Sequence, residues 1–311
     1  MKSQTTQQPQ AVIDIGTNST RLLIFKTDAS GKLVRINKSV RSTRMGQDLG
    51  KTGRLHPDAM ARNMAALKEY IAITGDYHTR SIYVFGTSAL RDASNAGEFI
   101  ARVKNELGLT IDVITGEQEA TYGFIGVSQC FDERILIFDI GGGSTELILG
   151  ENHQLMKLVS LNMGCVRGTE AFIHHDPPLS SELAAVRENA AGLLKKVMPD
   201  YLKQKPFRLV GIGGTATTLS TIHQGLVAYD SDKVQKSRID QADLREMVQG
   251  LAAMPLARRK EVAGLNPKRA DIILAGACVL DTILNATGIK TFTICDYDNL
   301  EGAAFQKFIK S

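Results

Sequence analysis

The sequence predicts an α/β protein made of two duplicated domains that face an interdomain cleft. Three observations lead to this prediction. The chain has 311 residues, a length that favours two domains over one. The stretch "DIGTNST" that begins at Asp14 recurs as "DIGGGST" at Asp139, 125 residues later (139 − 14). In both copies an apolar strand leads into this stretch, and two further strands follow before the first helix.

The first copy is predicted to have the element order βββαβαβα. Apolar or alternating runs bounded by glycine and turn residues predict strands at 11–16, 20–26, 33–40, 81–86 and 110–116. Patterns with a helical period predict helices at 57–73, at 95–108 and from 117 onward. The first helix opens at Pro57, where His56 or Asp58 can cap it, and the second closes at Gly108.

The second copy begins again with three strands. These are predicted at 134–140, 145–151 and 153–164. The segment 207–220 is interpreted as a strand, a glycine turn and a helix, and 289–295 as a final strand. Further helices are predicted at 180–203, at 240–253, at 267–286 and from 300 to the end of the chain.

Composition excludes several classes of protein. No apolar run approaches the roughly 20 residues of a membrane helix. The first ten residues, "MKSQTTQQPQ", are polar, which predicts a short disordered tail rather than a signal peptide. Four scattered cysteines without a C-x-x-C spacing favour reduced cytoplasmic thiols over a disulfide framework or a zinc site. The net charge of +4 identifies no partner.

The repeated turn suggests a chemistry. Backbone amides of a glycine turn can approach an anion closely, and serine or threonine hydroxyls add donors. One such turn in each domain would place two phosphate-binding hairpins on opposite walls of the cleft. Asp14 and Asp139, at strand ends, would hold a divalent cation through its water shell. The alternative is that both aspartates only stabilise their own turns.

Seven blocks in order along the chain resemble one family. They read "DIGTNSTRLLI", "GTSALRDA", "GEQEA", "DIGGGSTEL", "MGCVRG", "GIGGTATTLS" and "RADIILAG". The chain resembles the exopolyphosphatase / guanosine pentaphosphate phosphohydrolase (Ppx/GppA) family, in its short two-domain form, within the actin, Hsp70 and sugar-kinase superfamily. Two positions depart from the family pattern: Gln118 replaces a glutamate, and Leu300 stands where an arginine is usual.

The resemblance implies two ribonuclease H-like domains. Domain I would span 1–127, with a terminal helix at 300–311 packing back on it, and domain II would span 128–299. It also implies a phosphoanhydride hydrolase that uses Mg²⁺ or another divalent cation. Inorganic polyphosphate is the implied partner, pppGpp or ppGpp is the alternative, and a homodimer is left open. Nucleic acid and membranes are not among the implied partners.

The resemblance also implies roles for individual residues. Glu119 would orient or deprotonate the attacking water, with Glu117 as its competitor and an exposed helix acid as the alternative interpretation. Glu146 would hold that water or the metal, and the metal ligands would be Asp14, Asp139 and Glu146. The implied phosphate-binding residues are Asn18, Ser19, Arg21, Arg44, Arg91, Gly141, Gly142, Gly143, Ser144, Thr145, Arg167, Gly213, Gly214 and Arg269. Each of the arginines Arg44, Arg167 and Arg269 could equally be an ordinary surface arginine.

Four functions remain to be compared. Hydrolysis of terminal phosphate from polyphosphate leads, because Arg41, Arg44, Lys51 and Arg54 crowd one segment and suit a long polyanion. Hydrolysis of pppGpp shares the chemistry. A superfamily kinase would transfer phosphate to a sugar or to acetate. The "GEQEA" block instead favours water as the phosphate acceptor. A regulator that binds alarmone without turnover would not need Glu119 and Glu146.

Overall fold

The computed structural model describes residues 8–309. The chain divides into two compact units, of which unit 1 contains Met1–Gly126 together with Asn299–Ser311, and unit 2 contains Val127–Asp298. The chain therefore passes from one unit to the other twice. The first seven residues of the predicted disordered tail lie outside the described residues, and Gln10 already belongs to the first strand.

Unit 1 is built on a five-stranded sheet with the order β3-β2-β1-β4-β5. Its first three strands form an antiparallel meander, and the last two add in parallel. The strands are β1 (Gln10–Ile15), β2 (Ser19–Thr27), β3 (Leu33–Ser42), β4 (Ile82–Gly86) and β5 (Ile111–Val113). The helices are α1 (Leu49–Thr52), α2 (Pro57–Asp76), α3 (Ser88–Asp92), α4 (Ala96–Leu107) and α5 (Gly116–Ser128).

Helix ends in unit 1 follow from local sequence chemistry. The predicted cap of α2 is confirmed, since His56 Nδ1 accepts a hydrogen bond from the Asp58 amide at 3.2 Å. Gly108 ends α4 in the left-handed region, where glycine has no Cβ to clash. Thr115 and Gln118 form a capping box in which each side chain accepts from the other's amide. Gln118, the residue that departs from the family pattern, thus fixes the start of α5.

Unit 2 contains a six-stranded sheet with the order β10-β11-β9-β6-β7-β8. Its first three strands form a second antiparallel meander. As in unit 1, parallel strands continue the sheet from the first strand of the meander. Its strands are β6 (Ile135–Ile140), β7 (Thr145–Glu151), β8 (Gln154–Leu161), β9 (Arg208–Ile212), β10 (Arg238–Asp240) and β11 (Thr291–Ile294). Its helices are α6 (Cys165–Phe172), α7 (Ser180–Leu202), α8 (Gly213–His223), α9 (Ser231–Val234), α10 (Gln241–Ala252), α11 (Leu256–Arg259) and α12 (Ile273–Thr287).

The last described helix returns the chain to unit 1. Helix α13 (Asn299–Ala304) packs on β1 and β2 and continues as a π-helical turn, Phe305–Ile309. Its Glu301 carboxylate is fully buried and pairs with Arg35 Nη2 at 2.8 Å and with Lys38 Nζ at 3.1 Å. Two cations on β3 therefore compensate one buried acid, which fixes α13 against the meander.

The predicted α/β class with two sheets is confirmed, and the central strands explain why the pattern was readable. Every residue of β6 is buried, and strands that are buried on both faces appear as continuous apolar runs. The predicted helix at 267–286 is wrong at its start. Pro267–Arg269 form a 3₁₀ turn capped by Asn266, and α12 begins only at Ile273. None of the helices described between residues 8 and 309 is long and apolar enough to span a membrane.

Candidate active site

Each unit opens with the same tight turn between its first two strands. In unit 1 the Gly16 amide donates to the Ser19 carbonyl at 3.0 Å, and in unit 2 the Gly141 amide donates to the Ser144 carbonyl, also at 3.0 Å. The strand registers also agree, since Asp14 lies opposite Arg21 and Asp139 lies opposite Glu146. The duplicated sequence therefore encodes a duplicated backbone.

The unit 1 turn carries an ion pair at the end of its strands. Arg21 donates to Asp14 Oδ2 from Nε at 2.9 Å and from Nη2 at 2.5 Å. Both side chains are largely buried. Both donors bind one carboxylate oxygen, which holds that oxygen toward the guanidinium. Arg21, which the family resemblance assigns to phosphate, is here the counter-ion of Asp14.

Neighbouring segments hold the unit 1 turn from two sides. Thr17 Oγ1 and Ser88 Oγ share a buried hydrogen bond of 2.7 Å, which joins the turn to the start of α3. The Arg44 amide donates to the Asn18 carbonyl and the Gly46 amide to the Thr17 carbonyl, both at 2.9 Å. The segment after β3 therefore fixes the turn through its backbone, and a hydroxyl pair fixes it to α3.

Asn18 and Ser19 complete this turn. Both are buried, and Asn18 Nδ2 donates to Ser19 Oγ at 3.1 Å. The Asn18 Oδ1 atom is buried without a hydrogen-bond partner among the described residues. Leaving such an acceptor unsatisfied costs about 1–3 kcal/mol, so the turn offers a place for an incoming donor such as water.

Glu119 and Arg91 meet at the start of α5. Glu119 is buried, whereas Glu117, its predicted competitor, is exposed. Arg91 Nη1 lies 3.7 Å from Glu119 Oε2 and donates to the Ile114 carbonyl at 2.9 Å. The guanidinium is therefore anchored by the backbone beside the carboxylate, and both groups remain at a fixed position in unit 1.

The unit 2 turn presents acids at the equivalent positions. Asp139 and Glu146 are cross-strand partners and both are buried. Ser160 Oγ, on the next strand, donates to Glu146 Oε1 at 2.7 Å. Two carboxylates opposite each other in a sheet repel when both are ionised. A divalent cation or a shared proton would remove that repulsion.

The N-terminus of α6 holds the unit 2 turn. The Cys165 and Val166 amides donate to the Gly141 and Gly142 carbonyls, both at 2.9 Å. A Cβ added at Gly164 would lie 2.4 Å from the Gly142 carbonyl oxygen. Only glycine fits there without moving the turn.

The remaining predicted residues of unit 2 lie around this turn. Arg167 Nε donates to the Gly143 carbonyl at 2.9 Å. A Cβ on Gly213 would meet the Asp139 carboxylate at 2.3 Å, and one on Gly214 would meet the Arg269 guanidinium at 2.2 Å. The start of α8 therefore approaches an acid and an arginine that the sequence placed far apart. Ser144 and Thr145 are buried beside them.

The thiol of Cys165, at the start of α6, is held in its neutral form. Burial raises the pKa of the Cys165 thiol, and the nearby Arg269 and Thr215 oppose only part of that rise. The thiol stays neutral and is a poor nucleophile or metal ligand. Across residues 8–309 no cluster of three or more histidine, cysteine or acidic side chains could hold a metal by itself.

The predicted row of cations after β3 is mostly neutralised within unit 1. Arg41 forms a two-point ion pair with Glu69. Lys51 Nζ lies 3.8 Å from Asp48, and Arg54 Nη2 lies 3.3 Å from Glu98. These pairs weaken the argument that the segment binds a long polyanion, because Arg41, Lys51 and Arg54 already have neighbouring acids.

Sequence reasoning missed several residues that shape the turns, namely Thr17, Ser88, Ser160, Gly46 and Gly164. One signal was available for the glycines. The meander in each unit is followed by Met-Gly, in "STRMG" and in "SLNMG". Both methionines are buried and both glycines contact the turn of their own unit. The hydroxyl partners leave no comparable pattern, because they come from distant parts of the chain.

Comparison with known proteins identifies the family. A family model described as the Ppx/GppA phosphatase family matches residues 23–310. Exopolyphosphatase 2 of Mycobacterium tuberculosis is 36% identical over 313 residues, covering 94% of this chain and 97% of the relative. The Aquifex aeolicus member of the Ppx/GppA family has a TM-score of 0.80 at 31% identity, covering 97% of this chain and 98% of that chain. An exopolyphosphatase structure from Cytophaga hutchinsonii has a TM-score of 0.89 at 27% identity, covering 96% and 97%.

The family model begins inside β2, so the first turn lies before the matched range, while the solved structures align with nearly the whole chain. The model and the relatives agree with the resemblance that the seven sequence blocks indicated. The chain belongs to the Ppx/GppA phosphatase family.

Proposed function

We propose that this protein is an exopolyphosphatase that releases terminal phosphate from inorganic polyphosphate with the help of a divalent cation. The observation that carries the proposal is the buried Glu119 carboxylate beside the anchored Arg91 guanidinium. A buried acid next to a fixed cation suits a reaction in which water attacks an anionic phosphoryl group. The name of the Mycobacterium tuberculosis relative supports polyphosphate as the substrate.

Glu119 accepts a proton from the attacking water, or orients that water, in this mechanism. Arg91 contacts the phosphoryl oxygens, since its planar guanidinium can bind two of them at once. Its hydrogen bond to the Ile114 carbonyl keeps it in place as charge moves in the transition state. The new bond joins the water oxygen to phosphorus, and the bond from phosphorus to the bridging oxygen breaks.

Backbone groups supply the remaining contacts to phosphate. Gly142 and Gly143 offer backbone amides that no side chain covers, and Ser144 adds a hydroxyl donor. Arg167 and the amides of α6 hold this turn through its carbonyl oxygens. We propose that Asn18 and Ser19 act similarly in unit 1, where the unpartnered Asn18 Oδ1 can accept from a bound water.

The donor set of unit 2 fits a divalent cation. Asp139 and Glu146 are opposed, buried carboxylates, and oxygen donors of this kind suit Mg²⁺ with several retained waters. Bound there, Mg²⁺ would neutralise charge on the phosphoryl oxygens. Ser160 orients Glu146 by its hydrogen bond. Asp14 is less suited to the role, because Arg21 already compensates its charge.

Hydrolysis of pppGpp at its 5′ phosphate is the second candidate. It uses the same reacting phosphoanhydride. The specific observation that favours it is the neutralisation of Arg41, Lys51 and Arg54 by neighbouring acids, which removes the main local reason for a long polyanion.

The test compares phosphate release from long polyphosphate, short polyphosphate and pppGpp under the same ionic conditions. Glu119→Gln should lower kcat roughly 10²–10⁴-fold on every substrate that is turned over, because a positioned base contributes that much. Glu117→Gln is the matched control and should keep the wild-type rate, since Glu117 is exposed in the same helical turn. EDTA should stop the wild-type reaction.

Three outcomes would contradict parts of the proposal. If Glu119→Gln keeps more than about a tenth of the rate, Glu119 is not the base. Full activity after metal removal rules out the cation. A higher kcat/KM on pppGpp than on long polyphosphate reverses the order of the two candidate substrates.

A further inference from the structure

Two of the four cysteines are in contact, although they are far apart in sequence. All four side chains are reduced thiols, and Cys130 is partly exposed whereas Cys295 is fully buried. The Cys130 side chain contributes to the raised pKa of Cys295, which places the two thiols beside each other. Cys165 and Cys278 are also buried, with no exposed surface comparable to that of Cys130.

Independent contacts bring the same two segments together. The Lys236 amide donates to the carbonyl of Ile294, the residue before Cys295, at 2.8 Å. The Nζ atom of the same lysine lies 5.2 Å from the ring centroid of Phe131, the residue after Cys130. One residue thus contacts the immediate neighbour of each cysteine.

Gln235 holds the Cys295 side of the pair. Its Nε2 donates to Cys295 Sγ at 3.8 Å, and its Oε1 accepts from the Asp296 amide at 2.6 Å. The Cys295 amide donates to the Gly211 carbonyl at 2.9 Å. The buried thiol is therefore held by both its backbone and its side chain, while Cys130 lies in a turn closed by its amide and the Val127 carbonyl.

The positions of the two cysteines in the chain give the contact a consequence. Unit 2 begins at Val127 and ends at Asp298. Cys130 lies three residues after that beginning, and Cys295 lies three residues before that end. A covalent bond between them would close almost all of unit 2 into one loop at the two points where the chain connects to unit 1.

We propose that Cys130 and Cys295 are a redox modification site, where a peroxide converts the two thiols into a reversible intrachain disulfide. Cys130, the more accessible thiol, reacts first: its sulfur attacks one oxygen of hydrogen peroxide, the O–O bond breaks, and Cys130 sulfenic acid and water form. Cys295 Sγ then attacks Cys130 Sγ. The S–O bond breaks, the S–S bond forms, and the departing hydroxide takes the Cys295 proton to give a second water.

The order of the two thiols follows from their surroundings. Burial raises the pKa of Cys295 well above its ordinary value, and the neighbouring Cys130 side chain adds to that rise. A protonated, buried thiol is a poor first nucleophile but is correctly placed to resolve a neighbouring sulfenic acid. Reduction by an external dithiol would reverse the modification, because thiolate attack on the disulfide regenerates both thiols.

The test treats the reduced full-length protein with hydrogen peroxide and counts thiols after denaturation. The count should fall from four to about two and return after dithiothreitol. Peptide mapping without reductant should find Cys130 linked to Cys295 with a loss of about two mass units. Closing so long a loop should also raise the Tm of the oxidised protein.

Variants separate this pair from the other cysteines. Cys130→Ser should retain all of its remaining thiols after peroxide, whereas the matched control Cys165→Ser should still lose about two. The mapping on the wild type does not depend on any variant folding. A count that stays at four, a link through Cys165 or Cys278, an intermolecular Cys130 disulfide, or Cys130 sulfinate without a link would each overturn the proposal. A lowered Tm of the linked protein would also contradict the proposal, because it would mean that the disulfide distorts the folded unit.

Discussion

The turn at residues 16–19 in unit 1 and the turn at residues 141–144 in unit 2 share one closing hydrogen bond but differ in the residue opposite the strand-end aspartate. In unit 1 that residue is Arg21, and the Asp14 carboxylate is compensated within the hairpin. In unit 2 it is Glu146, which adds a second buried acid beside Asp139.

The same backbone turn therefore carries different charges in the two units. The backbone of each turn is set by glycine and by a strand register, and both copies kept these features. Charge is set by a single side chain, and there the copies diverged. Unit 1 holds a compensated ion pair at its hairpin, whereas unit 2 holds two opposed acids that suit the proposed divalent cation.

Within this comparison, the largest expected effect on activity comes from the residue opposite the strand-end aspartate. Glu146→Gln should lower kcat by roughly 10²-fold and raise the Mg²⁺ concentration for half-maximal activity, because it removes a proposed metal ligand. Arg21→Gln should lower kcat less and leave the Mg²⁺ midpoint unchanged. Metal titrations of phosphate release measure both. Equal shifts of the midpoint in the two variants would abolish the distinction between the hairpins.

The second-largest expected effect is a difference in stability between alanine variants of the two glycines that contact the turns. Gly164→Ala places a Cβ against the Gly142 backbone, whereas Gly46→Ala places one 2.3 Å from the Thr17 Cγ2 methyl, a side-chain atom. Backbone is harder to displace than a methyl, so Gly164→Ala should cost about 2–3 kcal/mol of unfolding free energy and Gly46→Ala less. Denaturant unfolding of both variants gives the two values. A larger cost at Gly46 would contradict the comparison.

A double-mutant cycle on Asp14 and Arg21 should give a smaller effect. The variants Asp14→Asn, Arg21→Met and their combination should show a coupling of about 1–2 kcal/mol, because removing either partner leaves the other poorly compensated. The cycle is measured by chemical denaturation at neutral pH. Additive effects would mean that Arg21 is not coupled to Asp14 and is available to bind phosphate.

The smallest effect concerns a matched pair of threonines. Thr20 Oγ1 is hydrogen-bonded to Thr43 Oγ1 at 2.9 Å and to Asn63 Oδ1 at 2.6 Å. Its counterpart Thr145 donates to the Met163 carbonyl at 2.7 Å and to no second side chain among residues 8–309. Thr20→Val should therefore lower stability by about 1–2 kcal/mol and Thr145→Val by about 1 kcal/mol. Thermal melts can rank the two. The reverse ranking would show that the unit 2 turn depends more on its hydroxyl.

Features of this protein that depend on neighbouring residues could be predicted from local sequence. Apolar and alternating runs predicted the strands of the two meanders. The first strand of unit 2 was especially clear, because a strand that is buried on both faces is a continuous apolar run. The repeated acid and glycines gave both turns. Caps such as His56 were readable because their chemistry operates within one helical turn. Seven ordered blocks gave the family, which the family model and the relatives confirm.

Which of these residues contact one another depends on how the chain packs. The family resemblance assigns Arg21 to phosphate, and the register of β1 and β2 brings the same side chain onto Asp14. Arg41, Lys51 and Arg54 formed a basic cluster in sequence, but each is matched by an acid 28 to 44 residues away or, for Lys51, three residues away. Pairing across such distances depends on chain packing, which local pattern does not encode. The same reason hid Ser160 beside Glu146 and Cys130 beside Cys295 until strands and turns brought them together.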